Sequence, residues 1–152
     1  MTTKHQILHR EIVLDAARTM VAQDGIRDLT FQTLAKELNI CSQSLYNYFP
    51  NLPAVIEALG TEFMHNLYQE LIENVSGISG KEAIRAFAEV AHRYFERQQS
   101  LDEIIYFVHQ FPESSPFVQG TGDVINLLKR LIVHTELKQM AKESFVQDFI
   151  SS

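Results

Sequence analysis

Amide, hydroxyl and phenol side chains that can hydrogen-bond to DNA are concentrated between residues 42 and 48. They occupy six of these seven positions: Ser42, Gln43, Ser44, Tyr46, Asn47 and Tyr48. Glutamine and asparagine can each pair with adenine through two hydrogen bonds, and a serine hydroxyl can pair with several bases. Leu45 and the following Phe49 are apolar, which predicts a short helix with one buried side.

Two short helices about a tight turn are predicted to position these side chains. Thr30 is a suitable N-cap for the first helix, whose apolar residues recur at helical spacing: Leu34, Ala35 and Leu38. Asn39 tolerates the left-handed backbone of a sharp turn, and the second helix is expected to begin near Cys41 or Ser42. This is the layout of a DNA-binding helix-turn-helix. The first helix adds three candidate DNA contacts: Thr30, Gln32 and Thr33.

Residues 8–60 resemble the tetracycline-repressor (TetR) family of bacterial regulators. The resemblance rests on the following residues: Ala16-Ala17, Met20-Val21, Gly25, Thr30, Leu34-Ala35, Ile40 and Leu45-Tyr46-Asn47-Tyr48-Phe49. It implies an all-helical homodimer that binds a palindromic, double-stranded DNA operator and releases it when a small molecule occupies the C-terminal domain. It also implies phosphate contacts from four side chains: Thr30, Thr33, Tyr46 and Tyr48.

Helical periodicity without a strand pattern predicts an all-α fold for the whole chain. We expect a three-helix, helix-turn-helix DNA-binding domain at residues 1–52. A long helix is expected to join it to a short helical ligand-binding and dimerisation domain at residues 53–152. The first helix is predicted from Gln6 to Asp24, where Gly25 can end it by adopting positive φ. The joining helix follows Pro50 and carries one apolar seam: Ile56, Leu59, Phe63, Leu67 and Leu71.

Capping and phase patterns divide the C-terminal half into further helices. Ser79 with Glu82 and Ser100 with Glu103 form capping-box patterns, which predict a helix start after each serine. A shift in apolar phase near His134 predicts a break between the last two helices. These helices carry the apolar residues that we expect at a homodimer interface: Val124, Leu128, Leu131, Leu137, Phe145 and Phe149.

A small-molecule site is expected around residues 101–110, because residues 104–108 are apolar on every side of a helix. Such a helix is predicted to be buried, so Tyr106 and His109 would orient a small apolar or aromatic effector inside an apolar wall. The alternative is that both are core groups whose hydrogen bonds are satisfied within the fold. Three further aromatic candidates would line the cavity or fill it: Phe63, Phe87 and Tyr94.

Two Glu-x-x-His pairs, Glu62 with His65 and Glu89 with His92, match the ligand pattern of ferritin-like di-iron bundles. Helical phase places Glu62 and His65 at least about 120° from the centre of the apolar seam, so they point away from a bundle interior. The second pair also lies off its apolar face. Solvated helix faces account for both pairs, and we expect no metal, no cofactor, no catalytic residue and no enzymatic activity.

The charge of the chain opposes DNA binding. The net charge is -6, and residues 1–60 carry five basic residues against six acidic ones. The family resemblance implies a phosphate-binding lysine at the start of the joining helix, where this chain has Leu52 followed by Pro53. The alternative function is therefore a regulator-like protein that has lost operator binding and acts as a coregulator or small-molecule binder.

A cytoplasmic location is expected, with no membrane partner. The N-terminus lacks the apolar core of a signal peptide, and no apolar segment is long enough to span a bilayer. The single cysteine, Cys41, cannot form an internal disulfide, which fits a reducing compartment. We expect it to be a small filler beside the turn, with a redox switch as the alternative.

Overall fold

A computed structural model describes residues 9–151, and side chains there except those of Phe149 and Ser151. Six α-helices follow one another: α1 Arg10–Asp24, α2 Phe31–Glu37, α3 Ser42–Leu45, α4 Leu52–Val75, α5 Lys81–Arg97 and α6 Pro116–Ser151. Two 3₁₀ helices, Ile26–Asp28 and Leu101–Gln110, complete the described elements. This part of the chain contains no β-strand, and the all-α fold with an N-terminal helix-turn-helix is confirmed.

The described chain divides into two compact units. Unit 1 comprises the described residues up to Phe63 together with Gln98–Val118, and unit 2 comprises Met64–Arg97 and the residues from Gln119 onward. The functional division at residue 52 remains a prediction, because compactness does not identify where binding occurs. No helix within residues 9–151 combines the length and apolar character that crossing a membrane requires.

Helix α1 supplies one apolar stripe to the core of unit 1. Its buried residues are spaced by one helical turn or less: Val13, Leu14, Ala17 and Val21. The helix begins at Arg10 rather than at Gln6, because His9 has an extended backbone; residues 6–8 lie outside the described part. Gly25 ends it with φ 87°, and its backbone N–H donates to the Val21 carbonyl, so the predicted stop is confirmed.

Polar contacts tie α1 and the start of α6 to the first half of α4. The Arg18 guanidinium binds both carboxylate oxygens of Glu62, at 2.7 and 2.8 Å, and also pairs with Asp15. At the start of α6, the buried Ser115 hydroxyl donates to Glu57 at 2.6 Å and accepts from the backbone N–H of Phe117. The N-terminal part of α4 is therefore fixed within unit 1 by two separate elements.

Gly60 on α4 lies directly against the buried ring of Phe117. A Cβ atom at Gly60 would approach this ring to 2.5 Å, whereas a Cβ atom at Gly122 of α6 would meet nothing within 4 Å. We expect Gly60→Ala to lower the free energy of unfolding by about 1 to 3 kcal/mol, since overpacking outweighs the gain in helix propensity. The matched variant Gly122→Ala should raise it by up to about 1 kcal/mol. Urea denaturation measures both, and a Gly60→Ala protein as stable as the wild type would contradict this packing.

Helix α6 is one continuous helix, so the predicted break near His134 is wrong. Gly120 and Gly122 also lie inside it, and the Gly120 Cα faces the Met64 side chain. The apolar residues whose phase suggested a break are exposed in the described chain: Leu137 is 60% exposed and Phe145 71%. Packing in unit 2 therefore does not fix the positions of these apolar residues around the helix. An apolar stripe can rotate gradually around one continuous helix, so a change in its phase does not require a new helix.

Both helices begin where predicted, at Lys81 and Leu101, but neither serine caps its helix through the predicted capping box. Helix α5 begins at Lys81, which leaves Gly80 at the capping position, and the Ser79 hydroxyl instead lies 3.3 Å from the Lys138 ammonium group. Ser100 has φ 72° and makes no side-chain capping bond. Gly80 and Ser100, the residues that precede the two helices, both have positive φ, whereas a side-chain N-cap typically has an extended backbone.

The segment Leu101–Gln110 is a 3₁₀ helix, not the buried α-helix that was expected. Leu101 and Ile104 are buried, three residues apart, as the 3₁₀ repeat requires. The Tyr106 side chain is 77% exposed and His109 is exposed as well. The prediction that the Tyr106 and His109 side chains are buried is therefore wrong.

Candidate nucleic-acid interface

Reciprocal threonine hydrogen bonds fix the N-terminus of α2. The Thr33 backbone N–H donates to the Thr30 hydroxyl at 3.0 Å, and the Thr30 backbone N–H donates to the Thr33 hydroxyl at 2.9 Å. The Thr33 hydroxyl also donates to the Asp28 carbonyl at 2.7 Å. The predicted N-cap is confirmed, and the second threonine completes a capping box.

The turn between α2 and α3 has the left-handed backbone that was predicted at Asn39. Asn39 adopts φ 55°, and the Ile40 backbone N–H then donates back to the Ala35 carbonyl at 3.0 Å. Leu34 and Ala35 are buried beneath the turn, as expected from their spacing. The left-handed residue lets α3 leave at a sharp angle while the carbonyl groups at the end of α2 keep their partners.

The segment that follows the turn is short and tightly wound. Helix α3 covers only Ser42–Leu45, and the next three residues continue with hydrogen bonds between residues three apart, such as Tyr48 N–H to the Leu45 carbonyl at 2.9 Å. Leu45 and Phe49 are buried, as predicted. We call residues 42–48 the recognition segment.

The structure brings all nine predicted DNA contacts together within residues 30–48 of unit 1. Five are exposed: Gln32, Thr33, Gln43, Tyr46 and Asn47. Four are half-buried: Thr30, Ser42, Ser44 and Tyr48. The amides of Gln43 and Asn47 therefore lie in solvent on the recognition segment, where they can approach base edges. Their contacts with DNA stay a prediction.

Phe31 was not among the residues predicted for this site. Its ring meets the Tyr46 ring edge to face, with centroids 4.9 Å apart and an interplanar angle of 69°. The contact joins the first residue of α2 to the recognition segment and orients an otherwise exposed phenol. An aromatic residue beside the capping threonine was the only sequence feature that pointed to it.

Cys41 is exposed, so its predicted role as a filler is wrong. Its sulfur lies 3.3 Å from the Ser44 hydroxyl. This hydrogen bond, together with the backbone N–H of Ser44, lowers the pKa of the Cys41 thiol. The contact also restricts the orientation of Ser44, one of the candidate base-reading residues.

The positive charge in unit 1 is scarcer than the sequence count implies. Burial lowers the pKa of Arg18, but its hydrogen bonds and ion pairs with Glu62 and Asp15 outweigh this, and the net shift is upward. Arg18 is therefore occupied by carboxylates.

At the start of α4, Leu52 is half-buried, and the Asn51 side chain caps the helix by accepting from the Ala54 N–H at 2.9 Å.

The five predicted ligand-site residues fall into different environments. Phe63 is buried in unit 1, whereas Phe87 and Tyr94 are buried in unit 2. Tyr106 and His109 belong to unit 1 and are exposed. Tyr94 packs edge to face with Phe95, with ring centroids 6.3 Å apart. A role of these residues in effector binding stays a prediction.

The two Glu-x-x-His pairs have other partners or face solvent. Glu62 binds Arg18, and the imidazole of His92 lies 3.2 Å from a Glu96 carboxylate oxygen. His65 and Glu89 are exposed. Among the described residues, no group of three potential metal ligands comes together.

Residues 13–59 match the family model described as "Bacterial regulatory proteins, tetR family". The chain is similar to the uncharacterized HTH-type transcriptional regulator YobS of Bacillus subtilis strain 168, with 26% identity over 89 residues. That match covers 59% of this chain and 45% of the relative. The HTH-type transcriptional repressor KstR2 of Rhodococcus jostii strain RHA1 is 26% identical over 92 residues, which cover 60% of this chain and 45% of the relative. Both matches thus span less than half of the relatives' lengths.

The fold is also similar to that of a solved structure, the TetR family transcriptional regulator PfmR from Thermus thermophilus. The TM-score is 0.68 at 17% sequence identity, and the match covers 84% of this chain and 71% of that chain. At this level of identity the likeness concerns the fold alone.

Proposed function

We propose that this chain is a DNA-binding transcriptional repressor of the tetR type, because its residues 13–59 match the model of that family and a relative is named as a repressor. We propose that it acts as a homodimer on a palindromic operator. The observation that carries the proposal is the recognition segment, where Gln43 and Asn47 are exposed beside the buried Leu45. Such a surface fits the major groove of DNA.

The exposed apolar side chains of α6 support homodimer formation. Its C-terminal half exposes the following large side chains: Val133, Leu137, Met140, Phe145, Val146 and Ile150. Soluble monomers rarely leave this many large apolar side chains of one helix in water, and a second copy of the chain would cover part of them. Three further residues predicted at the interface are half-buried on the same helix: Val124, Leu128 and Leu131. The Phe149 side chain lies outside the described residues.

Release by a small apolar or aromatic effector completes the proposed function. Phe87 and Tyr94 on α5 are the aromatic residues of unit 2 that support it, since both are buried and Tyr94 combines an apolar ring with a hydroxyl. An effector that prefers one arrangement of the bundle would shift the population toward that arrangement by its differential affinity.

A second function, that of a regulator-like protein without operator binding, is favoured by one observation. Arg18 is engaged by two carboxylates, so unit 1 has even fewer cations for phosphate groups than its sequence suggests. One experiment distinguishes the two functions. An electrophoretic shift assay compares binding to the DNA upstream of the protein's own gene with binding to random DNA of equal length. Selective retardation supports the repressor, and equal or no retardation supports the alternative.

Operator binding is expected to depend only moderately on salt. Besides Arg18, the described part of unit 1 has three arginine or lysine residues, Arg10, Arg27 and Lys36. Six such cations per dimer correspond to a slope of about -5 in a plot of log affinity against log salt, at about -0.9 per neutralised phosphate. Fluorescence anisotropy between low and moderate salt measures this slope. A value of about -8 or steeper would reveal a basic surface that these residues do not provide.

A further inference from the structure

The Arg10 guanidinium lies over the ring of Phe49, 4.9 Å from the ring centroid. This distance is within the range of a cation–π interaction, which holds an arginine against an aromatic face. Phe49 is buried and directly follows Tyr48, the last residue of the recognition segment. The first residue of α1 is therefore held beside the end of the recognition segment.

The recognition segment and the residues that flank it in sequence contain no lysine or arginine. Between Lys36 and Lys81 there is neither a lysine nor an arginine, so the recognition segment and all of α4 lack one. Arg18, the other arginine of α1, is bound to Glu62 and Asp15. A positive charge beside the end of the recognition segment must come from another element, and α1 supplies it through Arg10.

We propose that Arg10 binds a DNA phosphate beside the recognition segment and that Phe49 is the platform that positions it. The proposal rests on the DNA-binding function proposed above. Arginine suits this role because its planar guanidinium can contact a ring and still donate N–H groups to phosphate oxygens. Contact with the ring also restricts the side chain before binding, which lowers the entropic cost of ordering it on DNA.

The test measures the salt dependence of operator binding for Arg10→Gln, Arg10→Lys and the wild type. Loss of one phosphate contact per protomer is expected to make the slope shallower by about 1.8 per dimer, at about 0.9 per phosphate. Binding to operator and to random DNA should weaken by the same factor, because a phosphate contact carries no sequence information. Arg10→Lys should keep the wild-type slope. The matched control Arg93→Gln, at an exposed position of α5, should leave both slope and affinity unchanged.

The platform role is tested by combining Arg10→Gln with Phe49→Leu, with thermal denaturation as a check that both variants are folded. If the ring positions the guanidinium, Arg10→Gln should weaken binding less in the Phe49→Leu protein than in the wild type. The wild type could select an operator while Arg10→Gln binds it with the same salt-dependence slope as the wild type. This result would overturn the role of Arg10 and leave the proposed function standing. A wild type that shows no preference for any DNA would overturn both.

Discussion

Replacing Phe145 with glutamate is expected to turn a dimer into a monomer and to abolish operator binding. The Phe145 side chain is 71% exposed on α6, beside other exposed apolar residues of the same helix. A twofold interface contains the substitution twice, and burial of each phenylalanine contributes about 2 to 3 kcal/mol. The dimer dissociation constant should therefore rise by about a thousandfold or more, since each 1.4 kcal/mol is about tenfold. Sedimentation velocity at micromolar concentration measures the change.

The matched control is Asn126→Glu, which adds the same charge at an exposed polar position of α6. It should remain dimeric, because nothing apolar is removed. A wild-type protein that sediments as a monomer at the same concentration would contradict both the interface and the twofold operator.

Gln43→Ala and Asn47→Ala are expected to relax the preference for the operator over mutated operators. Each amide can make two hydrogen bonds to an adenine, and such a pair contributes about 1 to 3 kcal/mol of discrimination, or about 5- to 150-fold. The loss should be confined to one base position per half-site for each variant. Competition binding with operators altered at single positions measures it. The control Gln69→Ala, at an exposed position of α4, should retain full preference.

Tyr48→Phe provides a contrast with the two amide variants. Removing the hydroxyl that is expected at a phosphate should weaken binding to operator and random DNA by equal factors. A selective loss on the operator would instead place Tyr48 among the base-reading residues. If neither amide variant changes the operator preference, the recognition segment does not read sequence through Gln43 and Asn47.

The helix-turn-helix was predictable because its determinants are local. A capping threonine, a residue that tolerates positive φ and two apolar anchors act within a few positions of one another: Thr30, Asn39, Leu45 and Phe49. The stop at Gly25 is local in the same sense. The general positions of α4 and α5 also followed from apolar periodicity, since each buries one side.

Apart from the two capping boxes, the errors concern burial and long-range contacts, which a local pattern does not specify. The apolar run around Tyr106 predicted a buried helix, but a 3₁₀ helix buries only every third residue and leaves Tyr106 exposed. The pairing of Arg18 with Glu62 joins residues 44 positions apart, and Phe31 meets Tyr46 across the turn. These contacts decide which charges and rings remain available for DNA, so the sequence could indicate the candidate residues but not their electrostatic surroundings.

Sequence-specific recognition of DNA by the recognition segment is most directly measured by selection from a random duplex library. The wild type and the Gln43→Ala, Asn47→Ala double variant are compared by sequencing the bound fraction. The wild type is predicted to enrich a twofold-symmetric sequence whose half-sites are about 10 base pairs apart or a multiple of that spacing. The double variant should retain weak DNA binding but lose the enrichment. A wild type that enriches no sequence, or enriches the same sequence as the double variant, would contradict the account.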